Sequence, residues 1–213
     1  ILKIVQAIEK SISSEFWIIL VLIFLFLIIF LLKAVDGKML NQHIRIIFKV
    51  PFKPLDSDEN FGVFNLYKTL IFLFTSIVFS LLFTYLKDNK PVSFGQFSLN
   101  FLVVLSYFLI KVILEYLLSV LFFLKKIIKL FLISKWNYLF SLSFYLYIAI
   151  ILREFSGLTI FYFIILTLFF LLLRVLFIVA TNKNLIFSNL FYFISYICAF
   201  EIAPLFILFK LII

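Results

Sequence analysis

Residues 16–32 read Phe-Trp-Ile-Ile-Leu-Val-Leu-Ile-Phe-Leu-Phe-Leu-Ile-Ile-Phe-Leu-Leu, an unbroken apolar run held between Glu15 and Lys33. Coiled as a helix at 1.5 Å per residue, it reaches about 25 Å, close to the roughly 30 Å of hydrocarbon in a bilayer. A surface helix of a soluble protein would carry a polar face, and a barrel strand would alternate polar with apolar residues over about 10 positions. This run does neither. It predicts a transmembrane helix.

Five further segments share its character. They run from about Thr69 to Leu86, Phe97 to Leu124, Asn137 to Leu152, Leu158 to Ala180 and Leu185 to Phe209, each bounded by charged or turn-forming residues. The expected fold is therefore all-α, a single polytopic transmembrane bundle of about six spans over residues 1–213. Composition agrees. Of 213 residues 66% are hydrophobic and 14% charged, with 33 Phe, against about 25% charged residues in a soluble domain. Four Gly and four Pro leave little turn chemistry for a barrel. The third segment is longer than a straight crossing needs, which predicts tilt or a turn projecting beyond the bilayer. Trp136 and Tyr138 at the head of the fourth read as interfacial anchors.

The 19 Lys and Arg against 10 Asp and Glu point to lipid headgroups and not to nucleic acid. Cationic residues of a membrane protein gather in cytoplasmic loops. With six spans, one side carries Lys33, Lys38, Arg45, Lys49, Lys53, Lys68, Lys125, Lys126, Lys129, Lys135, Lys183 and Arg174 near its helix end. The other carries Lys3, Lys10, Lys87, Lys90, Arg153 and Lys210. This asymmetry predicts that the first set is cytoplasmic and both termini are outside. The segment Lys33–Lys68 is the one substantial polar loop. Its portion Asn41–Val50 mixes Ile44, Ile46, Ile47, Phe48 and Val50 with His43, Arg45 and Lys49, a pattern suited to a short helix in the headgroup layer. Arg45 and Lys49 are the expected contacts for anionic lipid, and the acidic turn Asp56–Asn60 follows.

Charged residues inside spans cost about 2.5–3.5 kcal/mol each on insertion scales and so turn toward protein or water. Lys111, Glu115, Arg174 and Glu201 are of this kind. Lys111 and Glu115, four apart, share a helix face. Counting helical rise from the outer side places Glu115 about 27 Å and Arg174 about 24 Å deep. A Glu115–Arg174 pair pinning span three to span five is expected from that match. Glu201 lies about 12 Å from the outer face on the same count, with no cation at its depth, and Pro204 frees the carbonyl of Phe200 beside it. A kink beside a carboxylate serves ion binding in transporters; it also serves to end a helix.

The single cysteine, Cys198, and the single histidine, His43, offer no disulfide or metal-ligand cluster. No cofactor is expected. There is no Gly-rich phosphate loop, no Gly-x-Ser-x-Gly turn and no His-Glu-x-x-His, so no enzymatic activity is expected.

The stretch Tyr196-Ile197-Cys198-Ala199-Phe200-Glu201-Ile202-Ala203-Pro204-Leu205, ending in Phe209-Lys210-Leu211, resembles the closing signature of a Bacteroidota membrane family, domain of unknown function 4271. Members of that family close with a Tyr-Leu-Cys, Leu-Glu, Ile-x-Pro-Leu pattern and a basic residue. Arg174 also fits, although the family often shows a second arginine where this chain has Ile178 and Val179. The resemblance implies a bacterial inner membrane and no assigned activity, and it adds interest to Cys198, Glu201 and Pro204. Two functions are expected to compete. One is a non-catalytic accessory or assembly subunit that packs against other integral membrane subunits. The other is a small-solute or proton-coupled ion transporter lined by Glu201, Lys111, Glu115 and Arg174. A lipid-modifying enzyme with Glu201 as general base ranks last.

Overall fold

The computed structural model describes residues 2–45, 66–87, 93–121, 125–157 and 159–188, with side-chain surroundings for 16–45, 66–86, 93–115, 134–157 and 159–177. Among the described residues there are five helices and no strand: α1 Leu2–Arg45, α2 Leu66–Lys87, α3 Phe94–Leu121, α4 Lys125–Ser156 and α5 Ile160–Ser188. Each contains a stretch long and apolar enough to cross a bilayer. The all-helical membrane architecture read from the sequence is the architecture found. The expected sixth span, 185–209, falls largely outside the described residues.

The helices overrun the apolar segments that announced them. Residues Lys33–Leu40, expected as loop, and Asn41–Arg45, expected to begin a separate short helix, continue α1. Asp36 interrupts the helix with φ −153° and ψ 89°, and its Oδ1 accepts a hydrogen bond from the Met39 amide at 2.9 Å. That is the geometry of an N-cap, where a short acidic side chain satisfies an orphan amide of a restarted helix. Lys125–Trp136, also expected as loop, forms the first turns of α4. Its lysines alternate with Ile127, Ile128, Leu130 and Phe131, and no Gly or Pro stops the helix. Thr181–Asn184, expected to separate spans five and six, lies within α5 for the same reason. Hydropathy marks where a chain leaves the lipid. It does not mark where a helix ends.

α2 and α4 form the centre. Of the most apolar window of each helix, 61% is buried in α2 and 50% in α4, against 28% in α1, 17% in α3 and 11% in α5. α2 packs against α1, α3 and α4, while α5 rests chiefly on α4. The outer helices bury one stripe each: Ile18, Leu22, Leu25, Ile28 and Leu32 on α1; Phe97, Val104, Phe108 and Glu115 on α3. Their opposite faces expose Phe26, Phe30, Leu99, Leu102, Ile113, Leu168 and Leu172, as lipid-facing helix surfaces do.

Small, mostly polar residues are buried in both central helices: Thr75, Ser76, Ser80 and Thr84 of α2 and Ser141, Ser143 and Ala149 of α4. Ser76, Ser80 and Thr84 share one face of α2, on which Thr84 Oγ1 accepts a hydrogen bond from Asn100 of α3. Lipid tails give helices no hydrophobic reason to associate, so close backbone approach and shared hydrogen bonds hold them together. Thr75 Oγ1 donates to Ser143 Oγ at 3.2 Å, and Tyr147 Oη of α4 donates to the Leu22 carbonyl of α1 at 3.0 Å. Phe74 stacks on Phe144 with centroids 4.9 Å apart. α4 and α5 are joined across residues 157–159, where Gly157 takes φ 64°, a left-handed conformation that a residue without Cβ adopts freely.

Candidate functional site: a buried polar layer on one turn of α4

Successive helices run antiparallel, so the end of α1, the start of α2, the end of α3 and the first turns of α4 share one end of the bundle. There a single turn of α4, Ser134–Tyr138, sends side chains to three neighbours. Lys135 Nζ donates to Glu115 Oε1 of α3 at 2.6 Å, and Trp136 Nε1 donates to Glu115 Oε2 at 2.7 Å. Both charged side chains are 3% exposed, so the pair is withdrawn from water and lipid alike. Each carboxylate oxygen thus receives a short, charge-assisted hydrogen bond, the arrangement that lets a buried ion pair persist.

This corrects the expected Glu115–Arg174 pair. The cation on Glu115 is Lys135, which had been counted as a loop charge. The physical reason is the early start of α4, which brings Lys135 to the level of Glu115 at the edge of both spans. Arg174 instead lies half-buried on the stripe Phe163, Thr167, Phe170, Arg174 and Phe177 of α5, the stripe that meets α4 through Tyr138–Phe177 and Tyr145–Phe170 ring contacts. Lys111 points elsewhere despite sharing a helix with Glu115. Its Nζ donates to Tyr107 Oη at 3.4 Å and sits 5.6 Å from that ring's centroid. Cys198, Glu201, Pro204 and Lys49 lie outside the described residues; Arg45 is exposed at the end of α1.

The next residue of the same α4 turn reaches a second cluster. Asn137 Oδ1 stands 3.3 Å from His43 Nε2, while His43 Nδ1 stands 2.9 Å from the Met39 carbonyl and 3.2 Å from Tyr67 Oη. His43 is 5% exposed and Tyr67 2%. The Met39 carbonyl only accepts, so Nδ1 carries a proton. A protonated ring then also donates from Nε2 to the Asn137 oxygen, whereas a neutral ring is satisfied when that amide turns its NH2 inward. Phe140 separates the two clusters, contacting both His43 and Trp136.

A smaller polar layer closes the opposite end. Tyr85 Oη donates to Glu154 Oε2 at 2.6 Å, Asn100 Nδ2 donates to Thr84 Oγ1 at 3.2 Å, and the Arg153 guanidinium lies about 5 Å from the Tyr85 and Phe163 ring centroids, within cation–π range. Among the described residues, no three of His, Cys, Asp and Glu come together as metal ligands would.

Taken singly, Lys135, Trp136 and Asn137 signal a loop charge, an interfacial anchor and a span boundary, and none of the three by itself points to the polar layer on α4. The available signal was their adjacency. Three consecutive residues with polar heads at the mouth of a span fan those heads over about half of the helix circumference, here toward α3 and α1.

The family described as domain of unknown function (DUF4271) matches residues 18–212 of the chain. No curated protein matches it, and no solved structure does.

Proposed function

Starting from a chain that belongs to the domain of unknown function 4271 family, we propose that it is a non-catalytic accessory or assembly subunit of a larger complex in a bacterial inner membrane. The observation that carries this reading is the closure of Glu115. The buried carboxylate at the centre of the polar layer has Lys135 on one oxygen and Trp136 on the other, a clamp between α3 and α4. The chemistry-bearing residues of the described bundle serve helix contacts in the same way: His43 joins α1 to α2 and α4, and Tyr85 joins α2 to Glu154 of α4. In this reading the described bundle acts through its surface. The outward faces of α1 and α3 present large apolar side chains suited to partner helices in the bilayer. On the cytoplasmic side, Arg45 and Lys49 are suited to anionic headgroups.

Intact-complex mass analysis after extraction in several mild detergents tests this reading. The expected result is a stable assembly with other integral membrane proteins. A clean monomer in every detergent sinks it.

A second reading, a proton-coupled or small-solute transporter, draws on one observation. The Ser80 hydroxyl of α2 and the Ser141 hydroxyl of α4 are buried without a hydrogen-bond partner among the described residues, and Thr75, Ser76 and Thr84 are further buried hydroxyls of α2. Buried hydroxyls of this kind are places where water enters a bundle. Proteoliposomes holding the purified chain and a pH-sensitive dye decide the matter. Proton flux lost in the Ser80→Ala, Ser141→Ala double variant supports transport, and flux equal to that of empty vesicles excludes proton coupling.

A further inference from the structure

We infer that the corner where α4 gives way to α5 is a seat for the phosphodiester of a phospholipid headgroup, with Arg153 as the group that binds it. The inference is independent of the subunit reading, since it concerns a lipid and not a protein partner.

The corner is built from three helix ends. Tyr85 stands one residue before the end of the apolar span of α2, Arg153 three before the end of that of α4, and Phe163 three after the start of that of α5. All three therefore lie where the spans leave hydrocarbon, at the depth of the headgroups. The rings of Tyr85 and Phe163 meet edge on, with centroids 6.0 Å apart. Arg153 Cζ lies 5.1 Å from the Tyr85 centroid and 5.0 Å from that of Phe163. The guanidinium thus rests in the angle between two rings, held by their negative faces and by apolar contact.

What holds the guanidinium does not satisfy it. Its five N–H groups lie in its own plane and call for acceptors. Nη1 is buried without a hydrogen-bond partner. The acid next to it in the chain, Glu154, accepts instead from the Tyr85 hydroxyl, at 2.6 Å, and among the described residues no carboxylate pairs with Arg153. Arg153 is half-buried and not sealed, so part of the side chain remains open at the surface. Because the rings already fix the fork, it meets an anion with little rotamer freedom left to lose.

Two features select the anion. Glu154 beside Arg153 leaves the corner without net charge, which suits a singly charged phosphodiester better than a phosphate dianion. Apolar surface also begins next to the corner: Leu152 and Tyr162, each one residue from one of its members, are exposed. A phospholipid lays acyl chain on that surface while its phosphate oxygens accept from the fork. A free anion does only the second.

Two measurements on the full chain test the proposal. In the first, native mass analysis in mild detergent follows retention of phosphatidylglycerol and, separately, of diacylglycerol with the same acyl chains. The parent should retain the first and lose the second. Arg153→Gln should weaken retention about tenfold, the loss expected for one charge-assisted hydrogen bond. Equal retention by the parent and Arg153→Gln overturns the proposal. The second measurement keeps the chain native, so it does not depend on how a variant folds. A phosphatidylglycerol with a photoreactive diazirine on its headgroup should label Leu152 and Tyr162 ahead of Phe16 and Phe94, exposed residues at the same end of the bundle. Unlabelled phosphatidylglycerol should compete the label away. Equal labelling of all four positions would mean lipid that surrounds the bundle without a seat, and competition by inorganic phosphate would mean a site for a free anion. Either result overturns the proposal.

Discussion

At the residue scale, the strongest consequence concerns Glu115. Removing one partner of a buried ion pair leaves a charge that neither water nor lipid can solvate, so Lys135→Ala should destabilise the bundle by about 3–5 kcal/mol. Replacing both partners with apolar residues of similar size, as in Glu115→Leu with Lys135→Met, removes the unpaired charge and should return stability to within about 1–2 kcal/mol of the parent. Unfolding titrations in mixed micelles measure both. Equal loss in the single and double variants would show that the pair contributes packing and not charge balance. The sequence disclosed Glu115 as a costly group in need of a partner. It did not disclose which, because the choice between Lys135 and Arg174 turned on about three helical turns at the start of α4 whose hydropathy resembles a loop.

At the element scale, the broken α1 shows how a local device redirects a helix. Asp36 leaves helical geometry and caps the limb that follows, which in turn delivers Leu40 and His43 to the core. Asp36→Ala should cost about 0.5–2 kcal/mol through the lost cap, with faster amide exchange concentrated at Gly37–Leu40, and Asp36→Asn should retain most of the protection. Amide exchange rates through Leu22–Leu32 should stay as they are. A slowdown or speed-up spread evenly along α1 would mean that Asp36 is not a cap. The existence of each crossing was legible from runs such as Phe16–Leu32, since nothing but a helix satisfies an apolar backbone in lipid. The extensions were not, because Lys, Asn and Thr are compatible with both a helix and a loop, and tertiary contacts such as Asn137 with His43 decide between them.

At the scale of the whole molecule, the bundle is built around α2 and α4, whose buried small residues let neighbouring helices approach closely. Enlarging one of those residues is therefore more damaging than altering an outer face. Ser80→Leu should cost about 1–3 kcal/mol by overpacking, while Leu172→Val on the uncovered side of α5 should stay within about 0.5 kcal/mol of the parent; melting curves in one detergent compare them. The crossings themselves were open to a reading of the sequence, but which stripe of α1 or α3 is buried, and the burial of α2 on nearly all sides, were not, since runs that are apolar all round differ only in what surrounds them. The arrangement also gives the protein two native optical reporters. Its two tryptophans stand at opposite ends of the bundle: Trp17 among Phe94 and Phe97, and Trp136 hydrogen-bonded to a carboxylate. Trp→Phe replacement at either one isolates the emission of the other, so the two ends can be followed separately as the bundle melts, and a difference in their midpoints would reveal which end lets go first.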